Sequence, residues 1–299
     1  MRKKIYSINV ILVFTLLLLS IQSFAISIDN NIIDQNLGLY LSAQYKPSIS
    51  HFKNFSVQEV NKKVDLIALK NDVTHITEEI LKDPTNFNTH YSAKFKNSFT
   101  GFSGAVGYYS AQGPRLEVEG FYENFDITDC SNCTINDANR YLALAREKDN
   151  NQVQPKAHDS SSTDSNNSSN NTKKSYFTFM KNNGISIASV MINGCYDFSL
   201  NNIKISPYVC AGIGGDFIEF FEVMHIKFSY QGKLGVSYLI SPSISLFVDG
   251  YYHSVINNKF KNLHVTYAYI LKDSPTITSA IAQLNIGYFG GEVGLRFVF

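Results

Sequence analysis

Tryptophan is absent from this 299-residue chain and charged residues make up only 17% of it. Neither sign of charge dominates, with 26 Lys and Arg against 25 Asp and Glu and a net charge of +1. That balance, without a dense Lys/Arg stripe, argues against a nucleic-acid partner. Beyond the N-terminal segment no stretch approaches the ~18 consecutive apolar residues of a transmembrane helix. The H-E-x-x-H signature of zinc enzymes and the phosphate-cradling glycine loop are both missing, and Gly212-Ile213-Gly214-Gly215 fails the dinucleotide pattern. The seven His are scattered. No cofactor, metal or catalytic residue is expected, and the chain reads as a non-enzyme.

What the chain does have is 44% hydrophobic residues, with Phe and Tyr supplying every aromatic side chain. Arg2, Lys3 and Lys4 precede an apolar run from Ile8 to Leu19, and Ser23-Phe24-Ala25 offers the small-x-small pattern of signal-peptidase cleavage. The run is too short to span a bilayer, so residues 1–25 read as a signal peptide and residues 26–299 as the mature protein. An integral mature chain without apolar helices must be a closed β-barrel, because lipid tolerates no unpaired backbone group.

Period-two alternation, bounded by Gly, Asn, Pro and Ser, predicts about eight strands. They lie near Gly38–Lys46, Phe99–Ser110, Arg115–Phe125, Ile185–Asp197, Ile203–Phe217, Lys227–Ile240, Ser245–His253 and Gln283–Phe299. Short turns at Gln112-Gly113-Pro114, Asn201-Asn202 and Ser241-Pro242-Ser243 alternate with long connections near 51–98, 127–183, 218–226 and 257–280. The expected fold is all-β, a transmembrane antiparallel up-and-down barrel with short periplasmic turns and long external loops. Within the loops, 73–81 and 137–146 read as short amphipathic helices, the second N-capped by Asp137. The Ser/Asn tract 159–172 is too polar to fold. The last strand places Val293, Leu295, Phe297 and Phe299 on one face, and Phe297 and Phe299 read as a signal for the barrel-assembly machinery.

Several motifs then become familiar. Residues 102–109 (FSGAVGYY), 115–123 (RLEVEGFYE), 140–144 (RYLAL), 187–197 (IASVMINGCYD), 207–215 (PYVCAGIGG) and 287–299 (GYFGGEVGLRFVF) resemble, in order, the major surface-antigen family of Ehrlichia and Anaplasma. The resemblance implies an immunodominant bacterial outer-membrane protein with porin-like passage of solutes. Outer-membrane lipid, the assembly machinery, host-cell components or antibodies are the expected partners, and homo-oligomers are compatible with it. A closed barrel serving as an adhesin or variable surface protein is the alternative.

Alternation places Lys46, Arg115, Glu117, Glu119, Glu123, Lys233, Asp249, Glu292 and Arg296 in the lumen. They either line a selective pore or pair as the polar core of a barrel too narrow to conduct. Cys195 and Cys210 both face inward on adjacent strands and are expected to be cross-strand neighbours within disulfide reach. Cys130 and Cys133, in a long loop, read as a structural or intermolecular disulfide rather than half a zinc site. Asp249 and His253 share a face, but no nucleophile accompanies them.

Overall fold

The computed structural model of the chain describes residues 38–60, 62–110, 113–146, 175–199, 204–268 and 278–299. The expected signal peptide, the Ser/Asn tract and the Asn201-Asn202 turn lie outside them. In chain order the first strands are β1 (Gly38–Tyr45), β2 (Ser48–Ser50), β3 (Lys53–Glu59), β4 (Val64–Leu69), β5 (Phe87–His90) and β6 (Phe102–Tyr109). There follow β7 (Pro114–Phe125), β8 (Tyr141–Arg146), β9 (Ser175–Lys181), β10 (Ile185–Asp197), β11 (Ile205–Phe220) and β12 (Val223–Ser241). The last are β13 (Ile244–Val255), β14 (Lys259–Leu263), β15 (Thr266–Tyr267), β16 (Ala280–Asn285) and β17 (Gly287–Val298).

Eight of these close into an antiparallel barrel in the order β1, β6, β7, β10, β11, β12, β13, β17, with β17 pairing back to β1. Following partners round the wall shows the stagger. Tyr40 pairs Gly107, then Glu117, Asn193, Gly212, Gln231, His253 and Tyr288, and Tyr288 pairs Ser50. The path returns to the first strand ten residues beyond its start, the shear that obliges the strands to tilt. β2 continues β1 in the same register on β17, interrupted at Lys46-Pro47 because proline has no N–H to donate.

Burial alternates along every barrel strand, as in β7, where Arg115, Glu117, Glu119, Phe121, Glu123 and Phe125 are buried while Leu116, Val118 and Tyr122 face outward. The outward belt carries aromatic residues at two levels, the girdles of a barrel crossing a bilayer. Tyr45 pairs Phe102 and Phe102 pairs Tyr122 at one level, continued by Phe289, its partner Tyr252, and Tyr230 against Tyr252. Tyr108, Tyr196 and Tyr238 mark the other level, near the short turns. No described helix is long and apolar enough to cross a membrane.

At the end away from the short turns, the connections fold into a cap. A five-stranded sheet runs β15-β9-β8-β4-β5 and a three-stranded sheet runs β14-β16-β3. The expected helix over 137–146 is corrected. Ala138–Arg140 form one 3-10 turn and Tyr141–Arg146 form β8, a strand paired on both sides. Leu142, Ala143, Leu144 and Ala145 are all buried, so two-sided pairing overrides the helix preference of a Leu-Ala run. Asp137 makes no side-chain cap and instead accepts a hydrogen bond from Arg140 Nε at 2.9 Å. The helix expected over 73–81 shrinks to α1 (Glu78–Lys82), where Thr77 Oγ1 accepts from Ile80 N and Pro84 bars continuation. Val73 lies outside α1 yet is buried with Leu81 in the cap core.

Two strand limits also move. Residues 283–285 belong to β16 in the cap sheet, and the barrel strand begins at Gly287. The connection expected over 218–226 is a continuous hairpin whose turn is Phe221-Glu222 alone, both at positive φ (49° and 63°), the geometry of a two-residue hairpin turn.

An ion pair ties the cap to the rim just above β7. Asp126 accepts hydrogen bonds from Arg140 Nη1 at 2.7 Å and Nη2 at 3.1 Å, which hold its carboxyl below the ordinary range despite partial burial. A carboxylate whose folded pKa is depressed stabilises fully above its unfolded value, about 4, and loses that contribution as pH falls through the lower folded value. Amide exchange of residues 138–146, once divided by the intrinsic rate at each pH, should therefore be unchanged between pH 7 and 5 and quicken below about pH 4. The Asp126→Asn variant should show the quickened exchange, corrected for intrinsic rates, already at pH 7.

Candidate functional site in the barrel lumen

The interior is where sequence reasoning placed the charges, and all nine are there and buried: Lys46, Arg115, Glu117, Glu119, Glu123, Lys233, Asp249, Glu292 and Arg296. They meet across the lumen. Lys46 follows β1 and Glu292 is on the adjacent strand β17, while Glu119 on β7 and Lys233 on β12 come from other parts of the wall. Lys46 Nζ lies 3.1 Å from Glu119 Oε1 and also pairs with Glu292 Oε1. Lys233 Nζ lies 2.8 Å from Glu119 Oε2 and 3.0 Å from Glu292 Oε2. Two ammonium groups thus alternate with two carboxylates in a closed square that fills the centre of the barrel. Asn193 Nδ2 donates to Glu117 and Glu119 at 3.0 Å each, and Gln231 Nε2 donates to Glu119 at 2.8 Å.

Toward the short turns, Arg115 Nη1 pairs with Glu117 Oε2 at 2.8 Å and its Nε with Asp197 at 3.0 Å, while Tyr40 OH donates to Glu117 at 2.6 Å. Arg296 Nη1 donates to Tyr109 OH at 2.6 Å, and Tyr208 OH donates to Asp249 at 2.5 Å. A space between Gln44, Tyr208, Phe247 and Arg296 offers about 10 Å³ to water-sized molecules, room for about one water and not for a solute. Room for Tyr40 is made opposite it, where a Cβ on Gly107 would collide with its ring. Gly107→Ala should push Tyr40 off Glu117 and cost about 1–3 kcal/mol, as overpacking does, read from urea unfolding in detergent.

Toward the cap the lumen turns apolar. Lys46 Nζ sits 4.4 Å from the Phe121 ring centre and 3.9 Å from that of Tyr251. Above them, Ile187, Met191, Phe125 and Tyr288 join Leu142, Leu144 and Phe260 of the cap in one buried cluster. Phe125 touches Tyr288 at 5.1 Å between ring centres and Phe52, from the first long connection, at 4.9 Å. Ser48 Oγ donates to Glu123 at 2.9 Å, and His253 Nε2 lies 2.9 Å from Asp216. The cap is held in turn by Glu59, which takes Arg146 at 2.7 Å and Thr178 at 3.3 Å.

Cys195 and Cys210 are direct register partners with Cα atoms 4.0 Å apart and are disulfide-bonded. Cys130 and Cys133 form the second disulfide, in the cap. Glu117 lies near both lumenal sulfurs, but bonded sulfurs offer a metal no thiolate. A bridge closing 15 residues contributes about 3 kcal/mol by chain entropy. The Cys195→Ala/Cys210→Ala variant should lose up to that amount, with assembly otherwise intact by heat-modified gel mobility. Sequence reasoning missed Asn193, Asp216 and Gln231 as partners of this network. Their inward parity was readable, because each is polar between two outward neighbours. The pairing register that brings them onto the charged groups was not. Phe297 and Phe299 lie at the barrel's short-turn edge, Phe297 paired with Leu41 and Ile244.

A closed, tilted, eight-stranded antiparallel barrel with an apolar belt between aromatic girdles is an outer-membrane barrel. The model of the family described as "Surface antigen" matches residues 32–299, and the chain belongs to that family. It is 30% identical to major surface antigen 4 of Anaplasma marginale over 263 residues, 87% of this chain and 83% of that protein. Among solved structures it is similar to Neisserial surface protein A, at a TM-score of 0.39 and 11% identity over 88% of this chain and 97% of the other. It is also similar to the outer membrane protein OprG from Pseudomonas aeruginosa, at 0.41 and 10% over 88% and 97%. The protein is an outer-membrane surface antigen.

Proposed function

We propose that the barrel is closed to solutes and serves as a membrane anchor presenting the folded cap at the cell surface, as a non-enzymatic adhesin or antigenic platform. The carrying observation is the lumen-crossing square of Lys46, Glu119, Lys233 and Glu292, all essentially fully buried. An eight-stranded interior is only wide enough for its own side chains, and here charged pairs fill one half and aromatic rings the other. Against porin-like passage, the expectation carried by family resemblance, stand these buried pairs and the buried apolar cluster toward the cap. Asp249 is engaged by Tyr208 and His253 by Asp216, so the two form no relay, which supports a non-enzymatic role. Connections that fold into sheets of their own suit recognition of a host-cell component better than passive diffusion does.

The display half of this reading is tested on intact cells with a membrane-impermeant amine reagent. Cap lysines such as Lys62, Lys82 and Lys96 should be labelled before the outer membrane is broken. Labelling only after disruption would place the cap on the periplasmic side and overturn it.

A further inference from the structure

Most lumenal charges are matched directly, Lys46 and Lys233 by Glu119 and Glu292, and Arg115 by Glu117. Arg296 and Asp249 are not. Among the described residues neither has an opposite charge within ion-pair distance. Arg296 reaches the hydroxyl of Tyr109, and Asp249 accepts from that of Tyr208. Both are buried, where a charge without a partner is costly. Asp249 is moreover the register partner of Glu292, which sets a like charge beside it.

Each of the two keeps one buried polar atom without a hydrogen-bond partner, Nε in Arg296 and Oδ1 in Asp249. Gln44 Oε1 is a third such atom. All three residues line the space of about 10 Å³ on the short-turn side of the square, the room that one water needs. Rings of Tyr40 and Phe247, centred 5.1 and 4.8 Å from its guanidinium carbon, hold Arg296 beside that space. The lining selects its occupant. One N–H donor and two acceptor oxygens suit a water, which accepts one hydrogen bond and donates two. A halide would meet the two oxygens, and a metal cation would meet the guanidinium.

We propose that this space is a binding site for one water molecule, which accepts from Arg296 Nε and donates to Asp249 Oδ1 and Gln44 Oε1. The bound water joins two separate buried charges into a solvent-bridged ion pair. It also ties three adjacent strands, β13, β17 and β1, across the seam where the barrel closes. The proposal rests on the closed lumen, because a discrete water belongs to an interior that is otherwise dry.

A high-resolution crystal structure of the refolded mature chain, grown in sodium bromide, tests this. A solvent peak should lie within hydrogen-bond distance, about 2.7–3.2 Å, of all three atoms and carry no bromide anomalous signal. No peak in an otherwise dry lumen overturns the water and leaves closure standing. Bromide signal at the peak marks an anion site and overturns it too. A file of waters running past the square sinks both this proposal and the closed lumen. In solution, a double-mutant cycle of Asp249→Asn and Arg296→Gln should show coupling in urea unfolding. That coupling should fall when Gln44→Met removes one acceptor at similar bulk. Coupling that ignores position 44 means that the two charges interact without the water, and overturns the bridge.

Discussion

Lys233→Met should destabilise the protein by about 3–5 kcal/mol, the usual cost of removing one member of a buried ion network. Met nearly conserves volume, so the loss is electrostatic. Glu119 and Glu292, each essentially fully buried, keep only Lys46 between them and repel one another without bulk water to screen them. The same reasoning sets the contrast. Exchanging all four of Lys46, Glu119, Lys233 and Glu292 for apolar residues of similar volume removes the desolvation cost along with the attraction, and should be far milder than the single change. Urea unfolding in detergent micelles measures both. A single-variant loss below about 1 kcal/mol would mean that these pairs behave like solvent-exposed ones, hence that water fills the lumen.

Phe125→Ala is the second large effect, at about 3–5 kcal/mol for deleting a fully buried aromatic side chain. Its position makes the consequence more than a loss of stability. Phe125 ends β7 where lumen becomes cap, and it is wedged between Tyr288 of the barrel and Phe52 of the first connection. The barrel's inter-strand bonds do not depend on it, whereas the seam between barrel and cap does. Limited proteolysis should therefore cut the cap connections faster while heat-modified mobility still reports an assembled barrel. Equal protease resistance would show that cap and barrel hold together without this seam.

Most of the barrel was legible because period-two alternation is a direct imprint of a wall with lipid on one side and a packed interior on the other. Ile185–Asp197 was readable to the residue for that reason. Where both faces of a strand are buried the imprint vanishes. Tyr141–Arg146 carries apolar or shielded side chains on both sides, so its Leu-Ala run reads as well for a helix as for the central strand it forms. The cap sheets escaped for a related reason: their strands are short and pair across connections far apart in sequence, as β4 does with β8. In the lumen, the list of charges followed from parity alone. Which charge meets which followed from the ten-residue stagger, which no single strand encodes.

The central claim is closure of the lumen, and planar-bilayer recording tests it most directly. Refolded protein, verified as assembled by heat-modified gel mobility, should give no single-channel steps at moderate voltage and salt. Reproducible steps whose ion preference shifts in Glu119→Gln or Lys233→Gln would contradict the account and show that the buried square is a conducting path.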